Sequence, residues 1–236
     1  MTQPEYNEWR QRWPSVVTET KTARAAELVR RYYSLRANNT PRYSGSRFES
    51  IAALNTDPNR IGPADLVAVS TLSVSVPGQA AIRILGPDAQ HITLLLEQIP
   101  TDRTIIDVDP DSLAPDSTAS QLWNLLRRGR DGVGPTITSK LLAAKRPHLI
   151  PIWDSFVNEA TGVDTPDSWR RFREVLVADD HTIWNWLGDV REEASIVPDI
   201  VSTLRLLDVI LWMSVDQQRT RSSDSRPQVS APVSGR

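Results

Sequence analysis

The segment 129–154, GRDGVGPTITSKLLAAKRPHLIPIWD, constrains the fold of this chain more than any other stretch. Apolar residues at helical spacing over 122–126 precede it. Gly132 and Gly134 then interrupt the helical pattern. Pro135 can open a new helix, because its missing N–H would be unpaired at that position anyway. The segment therefore predicts two helices joined by a tight, glycine-containing turn.

Helical spacing also dominates the rest of the chain. The segment 69–76, VSTLSVSV, alternates as a strand would, but no second strand-like run lies nearby to pair with it. We therefore predict a helix that opens at Pro63 and continues through Leu72. Ser117 is suited to cap another helix, and the segment 198–213 is apolar almost all round, which is typical of a central helix.

These patterns predict an all-α, multi-helix fold in a single domain over residues 1–217. The segment 218–236 lacks hydrophobic mass and is predicted to be a disordered tail. Two lobes are an alternative architecture. The boundaries between two such lobes would fall in the irregular segments 38–62 and 100–116.

Several classes of site are excluded by composition. The chain has no cysteine, so it has no disulfide, thiolate metal site or iron–sulfur cluster. Its histidines, His91, His148 and His181, lie far apart without metal-ligand spacing, and no phosphate loop or dinucleotide fingerprint is present. No apolar run reaches the roughly 18 residues of a membrane span, and the N-terminus has no signal-peptide core. We expect a cytoplasmic protein with no metal, no cofactor and no membrane partner.

Charge is distributed unevenly along the chain. The net charge is −2, yet the segment 118–148 carries six basic residues against Asp131 as its only acid, a net charge of +5. A local basic patch is typical of a surface that contacts phosphates. The alternative is that these cations stabilise helix C-termini, where positive charge is favoured. The sequence leaves both interpretations open.

The glycine-containing turn has a physical reason to bind DNA. The unpaired backbone N–H groups at the start of the second helix, together with the helix dipole, bind a phosphate oxygen without a charged side chain. Such contacts hold the DNA backbone and read no sequence. A purely structural turn is the alternative. The residues predicted to bind double-stranded DNA are Gly132, Val133, Gly134, Thr136, Lys140, Lys145 and Arg146.

The spacing from this turn to Asp154 resembles the helix-hairpin-helix superfamily of DNA base-excision glycosylases. Its members carry GVG or GIG, a helix, and then an apolar segment that ends in an aspartate; here Asp154 follows Gly132 by 22 residues, after LIPIWD. The resemblance implies that Asp154 is the catalytic carboxylate, which stabilises positive charge on the sugar as the base departs. The alternative role of Asp154 is to cap the helix that follows it.

The chain departs from that superfamily at Thr136. Bifunctional members have a lysine two residues after the second glycine, and without an amine there Schiff-base formation and strand cleavage are not expected. Lys140 lies one turn further along, about 40° away from that face of an ideal helix, and would substitute only if the helix were placed differently. If the protein is an enzyme, we expect a monofunctional glycosylase without lyase activity.

A second resemblance covers more of the chain. Over roughly residues 40–215, the sequence is similar to an uncharacterised bacterial family, a domain of unknown function. The matching pieces are YSGSRFE, DLVAVSTLSVSVP, GVGPTITSKLLAAKRPHLIPIWD and LRLLDVILWM. This resemblance implies no activity.

Three tryptophans and one charged pair are the remaining candidate site residues. Trp153, Trp184 and Trp186 could stack on an extruded base or contact another ligand, as base-flipping enzymes require, although partial burial in the core is the alternative. Arg205 and Asp208, three residues apart on the most apolar segment, are expected to form a buried or half-buried ion pair, with a polar site as the alternative.

Three functions follow from the sequence. The first is a helix-hairpin-helix protein that binds the DNA backbone without sequence specificity. The second is a monofunctional base glycosylase that uses Asp154. The third is a helical interaction or scaffold protein with a purely structural hairpin, for which a protein partner stays open.

Overall fold

The chain folds into helices throughout the part that the computed structural model describes, residues 2–165 and 168–224. These residues contain no strand, only one isolated antiparallel bridge between Leu35 and Pro41. The prediction of an all-α fold is thus confirmed. The helices are α1 (Gln3–Arg12), α2 (Ser15–Thr18), α3 (Thr22–Tyr33), α4 (Phe48–Ala52), α5 (Pro63–Thr71), α6 (Gly78–Leu85), α7 (Ala89–Glu97), α8 (Thr118–Arg127), α9 (Pro135–Lys145), α10 (Ser155–Thr161), α11 (Ser168–Ala194) and α12 (Thr203–Asp224).

Local signals set several helix starts. Pro63 opens α5, and the side chain of Asp65 accepts the backbone N–H of Gly62 at 2.8 Å, which satisfies a donor that the helix leaves unpaired. Ser117 caps α8, as predicted, by accepting the N–H of Ser120 at 3.2 Å. The alternating segment 69–76 does not form a strand. Its first three residues belong to α5, and the rest of it runs irregularly toward α6.

The helix α11 is interrupted near its middle. Residues 178–181 have non-helical backbone, and Asp179, Asp180 and His181 have positive φ angles. Aspartate and histidine enter the left-handed region more readily than most residues other than glycine, so they are suited to such a break. The break divides α11 into two helical segments.

The helix α12 lies at the centre of the core. Its residues 206, 207 and 209–211 are fully buried on every face, as its apolar sequence predicts. It packs against α3, α10 and α11. The helix continues through residue 224, so it includes the first part of the segment predicted to be a disordered tail; the rest of that segment lies outside the described residues.

The buried hydrophobic side chains form one continuous cluster. Ile61, Ile105 and Val108 belong to it, although they lie in the two irregular segments that would join separate lobes. This cluster holds the ends of α3, α9, α10 and α12 around the cavity described next.

Candidate functional site

A cavity of about 380 Å³ lies between the loop after α3, the loop after α5, and the helices α9, α10 and α12. This volume is within the range of small-molecule sites in proteins. Its walls combine charged groups, hydroxyls and aromatic rings. The residues that line it are Tyr32, Tyr43, Ser44, Gly45, Thr71, Leu72, Ser73, Val74, Thr136, Lys140, Ile152, Asp154, Ser155, Phe156, Arg205, Asp208 and Trp212.

Asp154 has two roles in this wall. Its Oδ1 accepts the backbone N–H groups of Phe156 and Val157, each at 3.0 Å, so it caps α10 as the sequence predicts. Its Oδ2 lies 3.4 Å from Nζ of Lys140. The cap therefore fixes the carboxylate and leaves its second oxygen beside a cation at the wall of the cavity.

Ser139 on α9 positions this part of the chain. Its hydroxyl donates to the carbonyl oxygen of Trp153 at 2.8 Å and accepts the backbone N–H of the same residue at 3.1 Å. The segment before α10 is thus held against α9. The two bonded residues directly precede Lys140 and Asp154 in the sequence. This double hydrogen bond explains why Asp154 and Lys140 meet.

Lys140 lies inside the protein, with 4 % of its side chain exposed. Its Nζ donates to the carbonyl oxygen of Leu72 at 2.9 Å. Burial lowers the pKa of Lys140, although the charges of Asp154 and Asp208 oppose that shift. The prediction that Lys140 contacts DNA phosphates is not compatible with this position. The lysine instead supplies the cavity with an amine that Thr136, which also lines it, lacks.

Arg205 and Asp208 form the buried ion pair that the sequence predicts, and both line the cavity. Arg205 also donates to the carboxylate of Glu49 at 2.9 Å and to the Tyr32 hydroxyl at 2.6 Å. Burial raises the pKa of Asp208 to about 6, against the opposing effect of Arg205. The pair thus lies at the wall of the cavity, so the alternative of a polar site stays open beside the ion pair.

Gly45 is required beside this network. Its carbonyl oxygen accepts from Arg205 at 3.0 Å, and a Cβ on it would lie 2.2 Å from the Tyr32 hydroxyl oxygen. A larger residue would push apart Tyr32 and Arg205, which hold the floor of the cavity.

Aromatic rings form one side of the cavity. Tyr32 and Tyr43 stack with ring centroids 5.3 Å apart and an interplanar angle of 9°. Trp212 contacts Tyr43 edge-on at 5.6 Å and packs against Phe156 at 5.3 Å. The sequence did not single out Tyr43 or Trp212 for a site. Trp212 lies in an apolar stripe, where an aromatic residue is equally expected in the core, and Tyr43 lies in the irregular segment 38–62.

The three tryptophans that the sequence did single out lie elsewhere. Trp153, Trp184 and Trp186 are not among the described residues that line the cavity. The indole N–H of Trp153 donates to the carbonyl oxygen of Val163 at 2.9 Å, and Trp186 is buried in the core. None of the three lines this cavity, and burial in the core, the alternative, describes Trp186. For Trp153 and Trp184, which are half-buried, contact with a base or another ligand stays a prediction.

The turn between α8 and α9 comprises residues 128–134. Gly132 has a φ of +89° and is exposed, Val133 is buried, and a Cβ on Gly134 would meet no described atom within 4 Å. Arg83 anchors the turn by donating to Asp131 at 2.7 and 3.2 Å. A Cβ on Gly132 would lie 2.9 Å from Pro77, so the turn packs against Pro77 at that glycine and faces open space at Gly134, at the start of α9.

Lys145 and Arg146 are buried and cannot reach DNA in this structure. Nζ of Lys145 donates to the Asp57 carbonyl oxygen at 2.7 Å. Arg146 is 1 % exposed and donates to backbone carbonyls that include those of Pro58 (2.7 Å) and Ile99 (2.9 Å). Their predicted phosphate contacts are thus wrong: both cations hold the end of α9 against neighbouring loops, which is closer to the structural alternative.

Among residues 2–165 and 168–224, no group of three or more histidine, aspartate or glutamate side chains could hold a metal ion. In the same part of the chain, every helix is too short or too polar to cross a membrane.

Comparisons with known proteins give a family. No curated protein and no solved structure matches the chain. One family model matches residues 25–215, which include the loop after α3, the turn and the whole cavity. The chain therefore belongs to the family described as "Family of unknown function (DUF6308)".

Proposed function

We propose that this protein is a monofunctional DNA base glycosylase. It binds the DNA backbone at the turn between α8 and α9, takes an extruded nucleotide into the cavity, and breaks the bond between base and sugar. The observation that carries the proposal is the position of Asp154, whose second carboxylate oxygen lies beside Lys140 at the wall of a cavity of about 380 Å³ with aromatic rings on one side.

Asp154 has the chemistry that base excision needs. Departure of a base leaves positive charge on the deoxyribose, and a fixed carboxylate stabilises that charge. Two backbone N–H groups already hold Asp154 in place, so little reorganisation is needed when the charge develops. Electrostatic stabilisation is stronger in a partly enclosed site than in water.

The aromatic side of the cavity supports the binding of a base. Enzymes that act on extruded bases hold them by stacking on aromatic side chains and by hydrogen bonds to the base edge. Tyr43 and Trp212 offer rings, and Ser44 and Thr136 offer hydroxyl groups in the same cavity. Planar, polar ligands fit such a lining.

The turn offers a backbone contact next to the cavity. Gly134 has open space around its α-carbon, and Thr136 in the first turn of α9 lines the cavity itself. A phosphate on the α9 N-terminus would therefore lie beside the nucleotide in the cavity. Arg127 and Arg130, in the same basic segment, are exposed and could add attraction to DNA.

The two other functions explain less. Backbone binding without chemistry gives Asp154 and the cavity no role. Three of the residues predicted to make its contacts are also buried, namely Lys140, Lys145 and Arg146. A purely structural hairpin gives no reason for the charged groups in the cavity, since burying charge is costly. Both functions remain distinguishable outcomes of the test.

The test is base release from duplex oligonucleotides that each carry one uracil, hypoxanthine, 7-methylguanine or 8-oxoguanine, with alkali to reveal abasic sites. We expect the wild-type protein to release at least one of these bases, and Asp154→Asn to reduce the rate by about 100-fold or more. Asp164→Asn is the matched control, because Asp164 is an exposed carboxylate outside the cavity that also accepts a backbone N–H.

Intact oligonucleotides in every reaction of the wild-type protein would contradict the proposal. Salt-dependent binding to the same duplexes would then support backbone binding alone. Absence of both release and binding would support a structural hairpin.

A further inference from the structure

Two carboxylates share the cavity but differ in their surroundings. Asp154 lies at the start of α10 with 14 % of its side chain exposed, and it is held by backbone N–H groups and Lys140. Asp208 lies on the central helix α12 with 7 % exposed. When two carboxylates in one site have surroundings as different as these, one is suited to remain ionised and the other to carry a proton.

Asp208 keeps one oxygen available. Its Oδ2 accepts from Arg205, whereas no hydrogen bond or ion pair within the described part of the chain involves its Oδ1. Since Asp208 lines the cavity, this oxygen is available to a bound ligand.

Charged and titratable groups surround Asp208 from several elements. The groups are Arg205 on α12, Tyr32 and Tyr33 on α3, Glu49 on α4, Lys140 on α9 and Asp154 at the start of α10. The cations Arg205 and Lys140 favour the carboxylate, whereas burial and the charge of Asp154 favour the protonated acid. Burial has the largest effect, so the acid form is accessible near neutral pH.

We propose that Asp208 is the general acid of this site and that the substrate is a purine base. The proposal rests on the glycosylase function above and deepens it. Asp154 faces the sugar, and Asp208 faces the base.

Asp208 gives its proton to N7 of a purine, the bond between C1′ and N9 breaks, and its electron pair stays on N9, so the base leaves as a neutral molecule. The sugar cation that remains is stabilised by Asp154. A water molecule then attacks C1′, and its proton returns to the Asp208 carboxylate.

The chemistry of the acid selects the substrate class. A purine joined through N9 has basic ring nitrogens away from that bond, whereas uracil and thymine offer only weakly basic carbonyl oxygens. A protonating group therefore assists a purine most. A base that already carries a positive charge, such as 7-methylguanine, leaves as a neutral molecule without any added proton.

The test compares two purines at one position of the same duplex, hypoxanthine and 7-methylguanine, under single-turnover conditions with the full chain. We expect Asp208→Asn to slow the release of hypoxanthine by about 100-fold, and to slow the release of 7-methylguanine at least about tenfold less. Asp154→Asn should slow both releases alike, because the sugar cation is common to them.

Other results would overturn the assignment. An equal loss on both purines in Asp208→Asn, or release of pyrimidines alone by the wild-type protein, would remove Asp208 as the acid while the glycosylase function stands. Release of no base at all by the wild-type protein would remove both proposals.

A pH profile of the wild-type protein gives the same information if Asp208→Asn fails to fold. The rate for hypoxanthine should fall as pH rises above about 6, where Asp208 loses its proton, and the rate for 7-methylguanine should lack that fall. Identical profiles for the two substrates would overturn the assignment of Asp208.

Discussion

Nζ of Lys140 lies 3.4 Å from Oδ2 of Asp154 and 2.9 Å from the carbonyl oxygen of Leu72. Both acceptors favour the ammonium form, which has no lone pair with which to attack C1′ of a sugar. We therefore expect that borohydride traps no covalent complex between the wild-type protein and a substrate duplex. The measurement is a denaturing gel after reduction.

A trapped complex that disappears in Lys140→Met would show that the amine is the nucleophile. In that case burial, which lowers the pKa of Lys140, would outweigh its two acceptors. Lys21→Met is the control, because Lys21 is an exposed lysine that pairs with Glu19 far from the cavity.

The cap role and the chemical role of Asp154 can be separated by substitution. Serine and asparagine cap helices about as well as aspartate, whereas alanine costs about 1 kcal/mol. We expect Asp154→Ser and Asp154→Ala to abolish base release equally. Both variants also lose the pair with the buried Lys140, so the cap is measured by the difference between them: Asp154→Ala should lower the free energy of unfolding by about 1 kcal/mol more than Asp154→Ser. Urea unfolding and base release check this together; base release retained in Asp154→Ser would leave Asp154 with the cap role alone.

The turn before α9 should control DNA binding. A glutamate at position 134 meets open space, so Gly134→Glu should fold normally. Its charge would repel phosphates, and we expect at least tenfold weaker binding at low salt, with a shallower dependence on salt concentration. The measurement is a titration of labelled duplex at two salt concentrations.

Gly188→Glu is the matched control for that experiment. Like Gly134, Gly188 has no described atom near its Cβ position. It is exposed and lies on α11, outside the turn and the cavity. An equal loss of affinity in both variants would attribute the effect to net charge and remove the turn from the DNA interface.

The sequence predicts most of the fold but only part of the site, for a physical reason. Pro63 and Ser117 mark helix starts through bonds made within a few residues, and the same local logic identifies Asp154 as a cap. The cavity depends instead on contacts between distant segments. Tyr43 and Trp212 are brought together only by packing of the loop after α3 against α12. The apolar pattern around Trp212 is the same whether or not a cavity lies beside that helix.

The basic residues at the end of α9 show the same limit. Lys145 and Arg146 have the spacing of a solvent-exposed helix end, which is where cations are expected. Most of their partners are backbone carbonyls, those of Asp57, Pro58 and Ile99 among them, which no residue type in the sequence marks. Their side-chain partners, Asp65 for Lys145 and Asn59 for Arg146, lie 80 or more residues away in sequence. Burial of these two cations therefore could not be predicted from composition or periodicity.

Arg146 should accordingly be a stability residue. Arg146→Met would leave the carbonyls of Pro58 and Ile99 buried without their donor, and we expect a loss of about 3–5 kcal/mol in the free energy of unfolding. Arg60→Met, at an exposed arginine of the adjoining loop, should change it by less than about 0.5 kcal/mol. Chemical denaturation measures both; similar values for the two variants would contradict the structural role of Arg146.

The stability of the protein should depend on pH through Asp208. Burial raises the pKa of this carboxyl to about 6 in the folded state, whereas an unfolded aspartate titrates near 3.9. The folded state therefore holds this proton more tightly, so the contribution of Asp208 to stability is complete below about pH 4 and is lost as pH rises through about 6. Asparagine cannot ionise, and Asp208→Asn should be free of this loss. We expect the stability of the wild-type protein relative to Asp208→Asn to fall by roughly 1–3 kcal/mol between pH 4.5 and 7.5, measured by urea unfolding of both proteins across that range. A difference that stays constant, or that grows in favour of the wild-type protein as pH rises, would show that Arg205 keeps Asp208 ionised throughout.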